Sequence, residues 1–92
     1  MSYKIMYTNR MKHDVKLMQK RGKDLKKLEN VLAILAEGKE LPRKHLNHNL
    51  TGSLSDFKEC HIEPDWLLLY RLDNDVLILT ATATGSHSDL FS

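Results

Sequence analysis

The chain has 92 residues, 41% hydrophobic and 28% charged, which is typical of one globular domain spanning residues 1–92 and excludes a disordered chain. Its single cysteine, Cys60, excludes an internal disulfide framework. No apolar run is long enough for a membrane span or a secretory signal, so we expect a cytoplasmic protein with no membrane partner.

Charge is distributed unevenly along the chain. Residues 1–44 contain 12 Lys and Arg against 5 Asp and Glu, a net charge of +7, whereas residues 45–92 contain 2 against 7, a net charge of −5. The basic half could meet a polyanion such as RNA or an acidic partner protein. A solvated helical surface explains the same charge equally well, so charge alone leaves these hypotheses open.

The first predicted element is a short strand, because residues 3–7 alternate weakly between polar and apolar. A helix follows, for which we predict Asn9 as the N-cap and Gly22 as the end. Its apolar residues recur at helical spacing and predict a narrow buried stripe. The stripe consists of Met11, Val15 and Met18.

A second helix is predicted from Asp24, as its N-cap, to Gly38. The two helices are joined at residues 22–23 and form a helical hairpin. The second helix has a wider apolar stripe, and both stripes are predicted to be core rather than a cofactor site. The wider stripe consists of Leu25, Leu28, Val31, Leu32 and Leu35.

In the second half of the chain, the sequence pattern predicts an irregular segment followed by strands. Residues 39–56 are predicted to form a long loop, which in so small a domain is often functional. Strands are predicted at 57–62, 66–72 and 76–82, followed by a short tail. The order β-α-α-β-β-β indicates an α+β domain, with the helical hairpin on one face of a three- or four-stranded sheet.

Four side chains suited to proton transfer are predicted to converge. His61 and Asp65 flank a tight turn, His87 follows a later strand that a meander returns towards Asp65, and His48 comes from the long loop. Imidazoles exchange protons near neutrality. RNA cleavage needs a base for the ribose 2′-OH and an acid for the leaving 5′-oxygen, each worth about 10²–10⁴-fold. A lone histidine on a strand is more often structural, so residue chemistry alone does not decide.

Two aromatic rings and one cysteine complete the list of candidates. Trp66 and Phe91 are candidate substrate-binding residues, since stacking on a base is worth about 1–3 kcal/mol. Trp66 also opens an apolar strand, where core packing suits it better, and Cys60 is predicted to face the core. The histidines and Asp65 lack the tight ligand spacing of most metal sites, so we predict neither a metal nor another cofactor.

Three segments of the chain resemble the YafQ branch of the RelE toxin superfamily. They are residues 48–52, HNLTG, residues 59–70, ECHIEPDWLLLY, and residues 84–91, TGSHSDLF. These motifs occur together, in order and at the family's spacing, which makes the resemblance specific. The first helix, with KHDVKL at residues 12–17 and KRG at residues 20–22, also fits the family.

The resemblance implies a toxin of a bacterial type II toxin–antitoxin system. Such a toxin is an endoribonuclease that enters the ribosomal A site and cleaves mRNA there. The implied fold is compact, with two N-terminal helices on a largely antiparallel sheet. The implied partners are a cognate antitoxin, the 70S ribosome and mRNA, whereas operator DNA would be bound only through the antitoxin.

The resemblance also implies roles for particular residues. The implied catalytic cluster is His48, His61, Asp65 and His87, with Phe91 near the substrate. Asp65 or a histidine would be the base and His87 the acid, while His48 and His61 would orient the substrate and stabilise phosphate charge. Positive charge on the first helix would serve ribosomal RNA or an acidic antitoxin. The residues predicted for that contact are Arg10, Lys12, Lys16 and Lys20.

Ala83 departs from the family pattern, in which an arginine usually stands two residues before the tail glycine. That arginine would hold the scissile phosphate, and loss of such a donor typically costs about 10²–10³ in rate. We therefore predict a weakened nuclease, unless Arg71 or Lys58 faces the cleft and compensates. Two alternatives remain open: a non-catalytic toxin that acts by binding, as gyrase-poisoning relatives do, and an inactive antitoxin-bound remnant. The histidines favour the nuclease, and Ala83 favours the alternatives.

Overall fold

The computed structural model describes residues 2–91. They fold into a five-stranded sheet with two long helices on one face. The strands lie in the order β1-β5-β4-β3-β2; β1 pairs with β5 in parallel and the other pairs are antiparallel. The elements are β1 Lys4–Tyr7, α1 Asn9–Lys20, α2 Leu25–Ala36, β2 His48–Asn49, β3 Lys58–Glu63, β4 Trp66–Asp73, β5 Ile78–Gly85 and α3 His87–Phe91, with 3₁₀ turns at Arg43–His45 and Gly52–Leu54.

This architecture confirms the predicted α+β class and the helical hairpin on a largely antiparallel sheet. Two details differ from the prediction. The sheet has five strands rather than three or four, because the predicted loop contains β2, whose two residues are too few to show alternation. The predicted tail is the short helix α3, which depends on contacts outside its own five residues.

The core lies between the helices and the sheet, and it contains both predicted apolar stripes. Cys60 faces this core as predicted, and burial raises the pKa of its thiol to about 12. Trp66 is fully buried, and its indole N–H donates to Thr84 Oγ1 at 2.9 Å. The prediction that Trp66 binds substrate is therefore wrong, because no face of the ring is free to stack on a base.

Thr8, not Asn9, is the N-cap of α1. The Thr8 hydroxyl oxygen accepts a hydrogen bond from the Met11 backbone N–H at 2.9 Å, and the hydroxyl donates to the Thr82 carbonyl at 2.6 Å. The sequence offered two adjacent capping residues, and this contact to β5 selects the first. The other predicted ends are confirmed, since Asp24 caps α2 and Gly22, with φ of +84°, follows the C-cap of α1.

Replacing Thr8 by Ala is expected to destabilise the protein by about 1–2 kcal/mol, because both of its hydrogen bonds are lost. Thr8→Ser keeps the hydroxyl and should cost less. Asn9→Ala is the matched control and should stay within about 0.5 kcal/mol, since this side chain is exposed. Urea unfolding followed by circular dichroism measures all three. Equal losses for the Thr8 and Asn9 variants would contradict the assignment of the cap.

Among the described residues, no helix combines the length and apolar character that crossing a bilayer requires.

Candidate active site

The sheet face opposite α1 and α2 carries the candidate site. In β3, Cys60 and Ile62 belong to the helix-facing core. Glu59 and His61 alternate with them and therefore lie on the opposite face. His48 pairs directly with Glu59 across β2 and β3, so it shares that face.

His87 and Asp65 meet as the sequence predicted. His87 is the first residue of α3, and Asp65 lies in the turn between β3 and β4. One oxygen of Asp65, Oδ1, accepts from the His87 backbone N–H at 3.0 Å and from its ring Nδ1–H at 2.9 Å. The rings of His61 and His87 lie 5.6 Å apart, centroid to centroid. The fold thus brings together residues that are 22 and 26 positions apart in the chain.

All three histidines of the cluster are held through the same ring nitrogen. Nδ1 of His48 lies 2.6 Å from the Leu46 carbonyl oxygen, and Nδ1 of His61 lies 3.1 Å from that of Pro64. Nδ1 of His87 lies 2.9 Å from the Asp65 carboxylate. Each acceptor requires a proton on Nδ1, so the neutral ring carries its lone pair on Nε2. Every ring is therefore oriented, with one nitrogen left to exchange a proton.

Glu59 is the acidic residue at the centre of the cluster, and the sequence argument did not single it out. Its side chain is 7% exposed, and Oε1 lies 3.5 Å from Nε2 of His48 and 4.0 Å from Nε2 of His61. Because Nδ1–H of His48 is already engaged, Nε2 can donate to Glu59 only in the protonated ring. The available signal was alternation, since Glu59 stands two residues before His61 on a strand.

His45, in the 3₁₀ turn Arg43–His45, contacts the strand that carries His61. It is half-buried, and its Nδ1 lies 2.6 Å from the carbonyl oxygen of His61. This contact fixes the backbone of β3 at the histidine that the site uses. No pattern in the sequence indicates it, because it joins the irregular segment to a strand 16 residues away.

Asp65 is held in its ionised form. The His87 backbone N–H, followed by its ring N–H, lowers the pKa of the Asp65 carboxyl below its ordinary value. A group whose folded pKa is lowered contributes stability that is present above its unfolded pKa and is lost as pH falls through the folded value. The contact with His87 is therefore intact at neutral pH and breaks only in acid.

A carbon-13 titration of the side-chain carboxyls should show Asp65 with a pKa below that of an ordinary aspartate. In His87→Ala the pKa should rise, because the ring donor is gone, but stay lowered, because the backbone N–H remains. An unchanged Asp65 titration in the variant would show that the imidazole does not contact this carboxylate.

Ala83 lies on the sheet strand β5, and Phe91 lies on the short helix that begins with His87. Ala83 pairs with Leu69, which pairs with Glu59, so position 83 belongs to the site face, two strands from Glu59. Its side chain is 1% exposed. Phe91 is 45% exposed and stands four residues after His87, on the same side of α3.

Neither candidate for compensating the missing arginine reaches the cleft. Lys58 alternates with Glu59 along β3 and therefore lies on the helix-facing side. Arg71 lies on the site face but beyond Leu69, and its guanidinium carbon stands 5.3 Å from the centre of the Phe57 ring. Neither Lys58 nor Arg71 therefore supplies the missing positive charge to the site.

The predicted basic residues of α1 divide into two groups. Lys12, Lys16 and Lys20 are exposed and, at a spacing of four, form one row along the helix. Arg10 is engaged within the chain, with Nε 3.4 Å from Asp14 Oδ2 and Nη2 donating to the Asp89 carbonyl at 3.2 Å. The lysine row stands on the helical layer, which lies on the other side of the sheet from the histidine cluster.

Comparison with known proteins agrees with this fold. The family model described as the bacterial toxin of type II toxin–antitoxin systems, YafQ, matches residues 3–92. The mRNA interferase toxin YafQ of Escherichia coli K12 is 39% identical over 88 residues, which cover 95% of this chain and 94% of the relative. YafQ in the E. coli DinJ–YafQ toxin–antitoxin complex is 36% identical, with a TM-score of 0.90 over 100% of both chains.

A second similar structure is a metal-bound toxin from Helicobacter pylori, 39% identical, with a TM-score of 0.91 over 97% of this chain and 99% of that one. The fold and the matches together define a bacterial toxin of a type II toxin–antitoxin system. More specifically, the chain belongs to the YafQ family.

Proposed function

We propose that this chain is an endoribonuclease that cleaves mRNA in the ribosomal A site. The observation that carries the proposal is the set of imidazoles, each held through Nδ1, beside the nearly buried carboxylate of Glu59. The E. coli relatives are named mRNA interferases, which supports the substrate class. RNA supplies its own nucleophile, so the site needs an acid and a base but no activated serine or cysteine.

The proposed reaction is a transesterification at one phosphodiester. A base removes the proton of the ribose 2′-OH, the 2′-oxygen forms a bond to phosphorus, and the bond from phosphorus to the 5′-oxygen breaks. An acid gives that oxygen a proton. The products are a 2′,3′-cyclic phosphate and a 5′-hydroxyl end, and each proton transfer contributes about 10²–10⁴-fold.

We assign the acid to His87 and the base to His61. The two rings are close enough to address oxygens on either side of one phosphorus. We assign Asp65 neither role, because its pKa is lowered and its Oδ1 accepts both bonds from His87. Its role is to hold His87 in one tautomer and orientation. His48, which can bond Glu59 only when protonated, is placed to balance phosphate charge.

Two further contacts with RNA are proposed outside the cluster. Phe91 offers an exposed ring on the His87 side of α3, and stacking on a base is worth about 1–3 kcal/mol. The row of Lys12, Lys16 and Lys20 lies away from the cleft, where it can meet ribosomal RNA or an acidic antitoxin. We propose a cognate antitoxin as partner because the E. coli relative was solved in complex with DinJ. Operator DNA would be reached only through that antitoxin.

We propose that Ala83 lowers the rate of RNA cleavage relative to a family member with arginine at this position. Position 83 lies on the site face, and an alanine there offers no donor to a phosphate. The competing hypotheses are a toxin that acts by binding alone and an inactive remnant bound to its antitoxin. Action by binding alone does not need three imidazoles held through Nδ1, whereas acid–base catalysis uses rings with a fixed orientation and a free Nε2.

Cleavage on translating ribosomes tests the proposal. A defined mRNA is incubated with the protein, with and without 70S ribosomes, and new 5′ ends are mapped by primer extension. We expect cuts within codons that require ribosomes and carry a 5′-hydroxyl. Absence of cuts from both this chain and Ala83→Arg would favour action by binding, and equal cutting of free mRNA would contradict the A-site requirement.

We propose a divalent transition metal ion as a second ligand of the same cluster. One oxygen of Glu59 and one ring nitrogen each of His61 and His87 lie within 4.8 Å of one another. Histidine ligands of metals usually donate their other N–H to a carbonyl or carboxylate, as these two do to Pro64 and Asp65. The similar H. pylori toxin is a metal-bound form. One carboxylate and two imidazoles suit zinc or copper.

Zinc is expected to inhibit cleavage, because the ion would occupy the nitrogens that exchange protons. Isothermal titration calorimetry should show binding that His61→Ala weakens by about 10-fold or more. His13→Ala, which changes an exposed histidine of α1, should bind zinc as the unaltered chain does. A chelator should restore cleavage. Equal zinc affinity for the His61 and His13 variants would place the metal elsewhere.

A further inference from the structure

The short helix α3, which begins with His87, is tied to α1 through one carboxylate. Asp89 of α3 accepts from Nη1 and Nη2 of Arg21, at 2.6 and 3.0 Å. Arg21 is the C-cap of α1. Two parallel bonds from a guanidinium to a carboxylate fix orientation as well as distance. The position of α3 is thus linked to a helix of the core.

The same carboxylate organises the first turn of α3. The Ser86 backbone N–H donates to Asp89 Oδ2 at 2.8 Å, and the Asp89 N–H donates to Ser86 Oγ at 3.1 Å. This reciprocal pair is a capping box with Asp in place of the usual Glu or Gln. Arg21, and then the Ser86 N–H, hold the pKa of Asp89 well below its usual range. The pair is therefore ionised at neutral pH.

Three more contacts hold the segment that contains His87. A Cβ at Gly85 would lie 2.8 Å from Cβ of Asp89, which shows that α3 folds closely back on the end of β5. Arg10 donates to the Asp89 carbonyl at 3.2 Å. On the other side, Asp65 accepts from the backbone and the ring of His87. Residues 86–89 are held between α1 and the β3–β4 turn.

We propose that Arg21 and Asp89 are positioning residues of the active site, whose ion pair fixes the start of α3 and thereby the His87 ring. They act through His87 and do not touch the reacting atoms. The expected effect on rate rests on the nuclease function proposed above, whereas the effect on His87 itself does not. Proton transfer needs hydrogen-bond distance, and a displacement of about 1 Å can cost on the order of 10²-fold.

The test compares Arg21→Gln with Lys39→Gln in single-turnover cleavage on programmed ribosomes. Lys39→Gln also removes one exposed cation and one ion pair, but its partner Glu37, at 2.8 Å, is the C-cap of α2 and not a residue of α3. We expect the Arg21 variant to lose about 10- to 10²-fold in maximal rate, with an unchanged half-saturating ribosome concentration. Arg21→Lys should recover part of the rate, since a lysine offers a point contact instead of a fork. The control should match the unaltered chain.

A nitrogen-15 NMR spectrum of the histidine rings provides a readout that needs no cleavage. The His87 ring and amide signals should shift in Arg21→Gln and stay in place in Lys39→Gln. The positioning role would be overturned if the His87 signals stayed in place in Arg21→Gln and the maximal rate did not fall. A change in the half-saturating ribosome concentration alone would not rescue it. If the His87 signals shift but neither the unaltered chain nor any variant cleaves mRNA, the positioning role is supported and the proposed nuclease function is contradicted.

Discussion

Replacing His87 by Ala should reduce mRNA cleavage by about 10² to 10⁴-fold, because the leaving 5′-oxygen loses its proton donor. The structure supports a specific loss, since His87 contacts Asp65 through its ring and its neighbours in α3 keep their own bonds. The half-saturating ribosome concentration should change little, because the ring contributes to proton transfer rather than to ribosome binding. Primer extension on programmed ribosomes, over a time course, measures both quantities.

His13→Ala is the matched control for this experiment. The His13 side chain is 79% exposed on α1, so its removal should leave cleavage and stability as they are. Melting curves of both variants exclude unfolding as the cause of a loss. Full cleavage by a folded His87→Ala protein would show that His87 is not the acid. The contact between Asp65 and His87 would then have no catalytic role.

Replacing Ala83 by Arg should raise cleavage by about 10²–10³-fold, because a guanidinium on the site face can hold the phosphate as charge builds up on it. Position 83 stands in a row across the sheet with Leu69 and Glu59. Adjacent strands lie about 4.8 Å apart, so residue 83 is roughly 10 Å from Glu59. Stronger growth inhibition on expression should accompany the faster cleavage.

Two further substitutions separate charge from size at this position. Ala83→Met adds a long side chain without charge and should give no gain, since nothing new contacts the phosphate. Ala83→Lys should give an intermediate gain, because an ammonium does not form the two parallel bonds of a guanidinium. The native side chain is 1% exposed, so melting curves must show that each variant is folded. An unchanged rate in a folded Ala83→Arg protein would mean that residue 83 does not reach the phosphate.

The parts of the fold with a long regular pattern were predictable from the sequence. The stripes of α1 and α2 recur with the helical period and are buried as expected, for example at Met18 and Leu28. The contact between Asp65 and His87 was also predictable, because a turn and a meander bring both residues to the same end of the sheet. Local periodicity and chain connectivity together define these features.

The features that were missed depend on contacts between distant segments. Glu59 is buried although charged, because β2 brings His48 beside it. Thr8 rather than Asn9 caps α1 because the Thr8 hydroxyl also reaches β5. The sequence left Trp66 open between base stacking and core packing, and the structure shows core packing, which suited its apolar strand better. In each case a tertiary contact decides what the local sequence leaves open.

A single 2′-deoxynucleotide in the mRNA tests the central claim most directly. In the proposed mechanism the imidazoles only remove and supply protons, and the attacking oxygen is the ribose 2′-oxygen of the RNA. An mRNA that carries 2′-deoxyribose only at a mapped cut should lose that cut completely when Ala83→Arg protein acts on programmed ribosomes, while its other cuts remain. Persistence of the cut at the deoxy position would contradict acid–base transesterification by the histidine cluster.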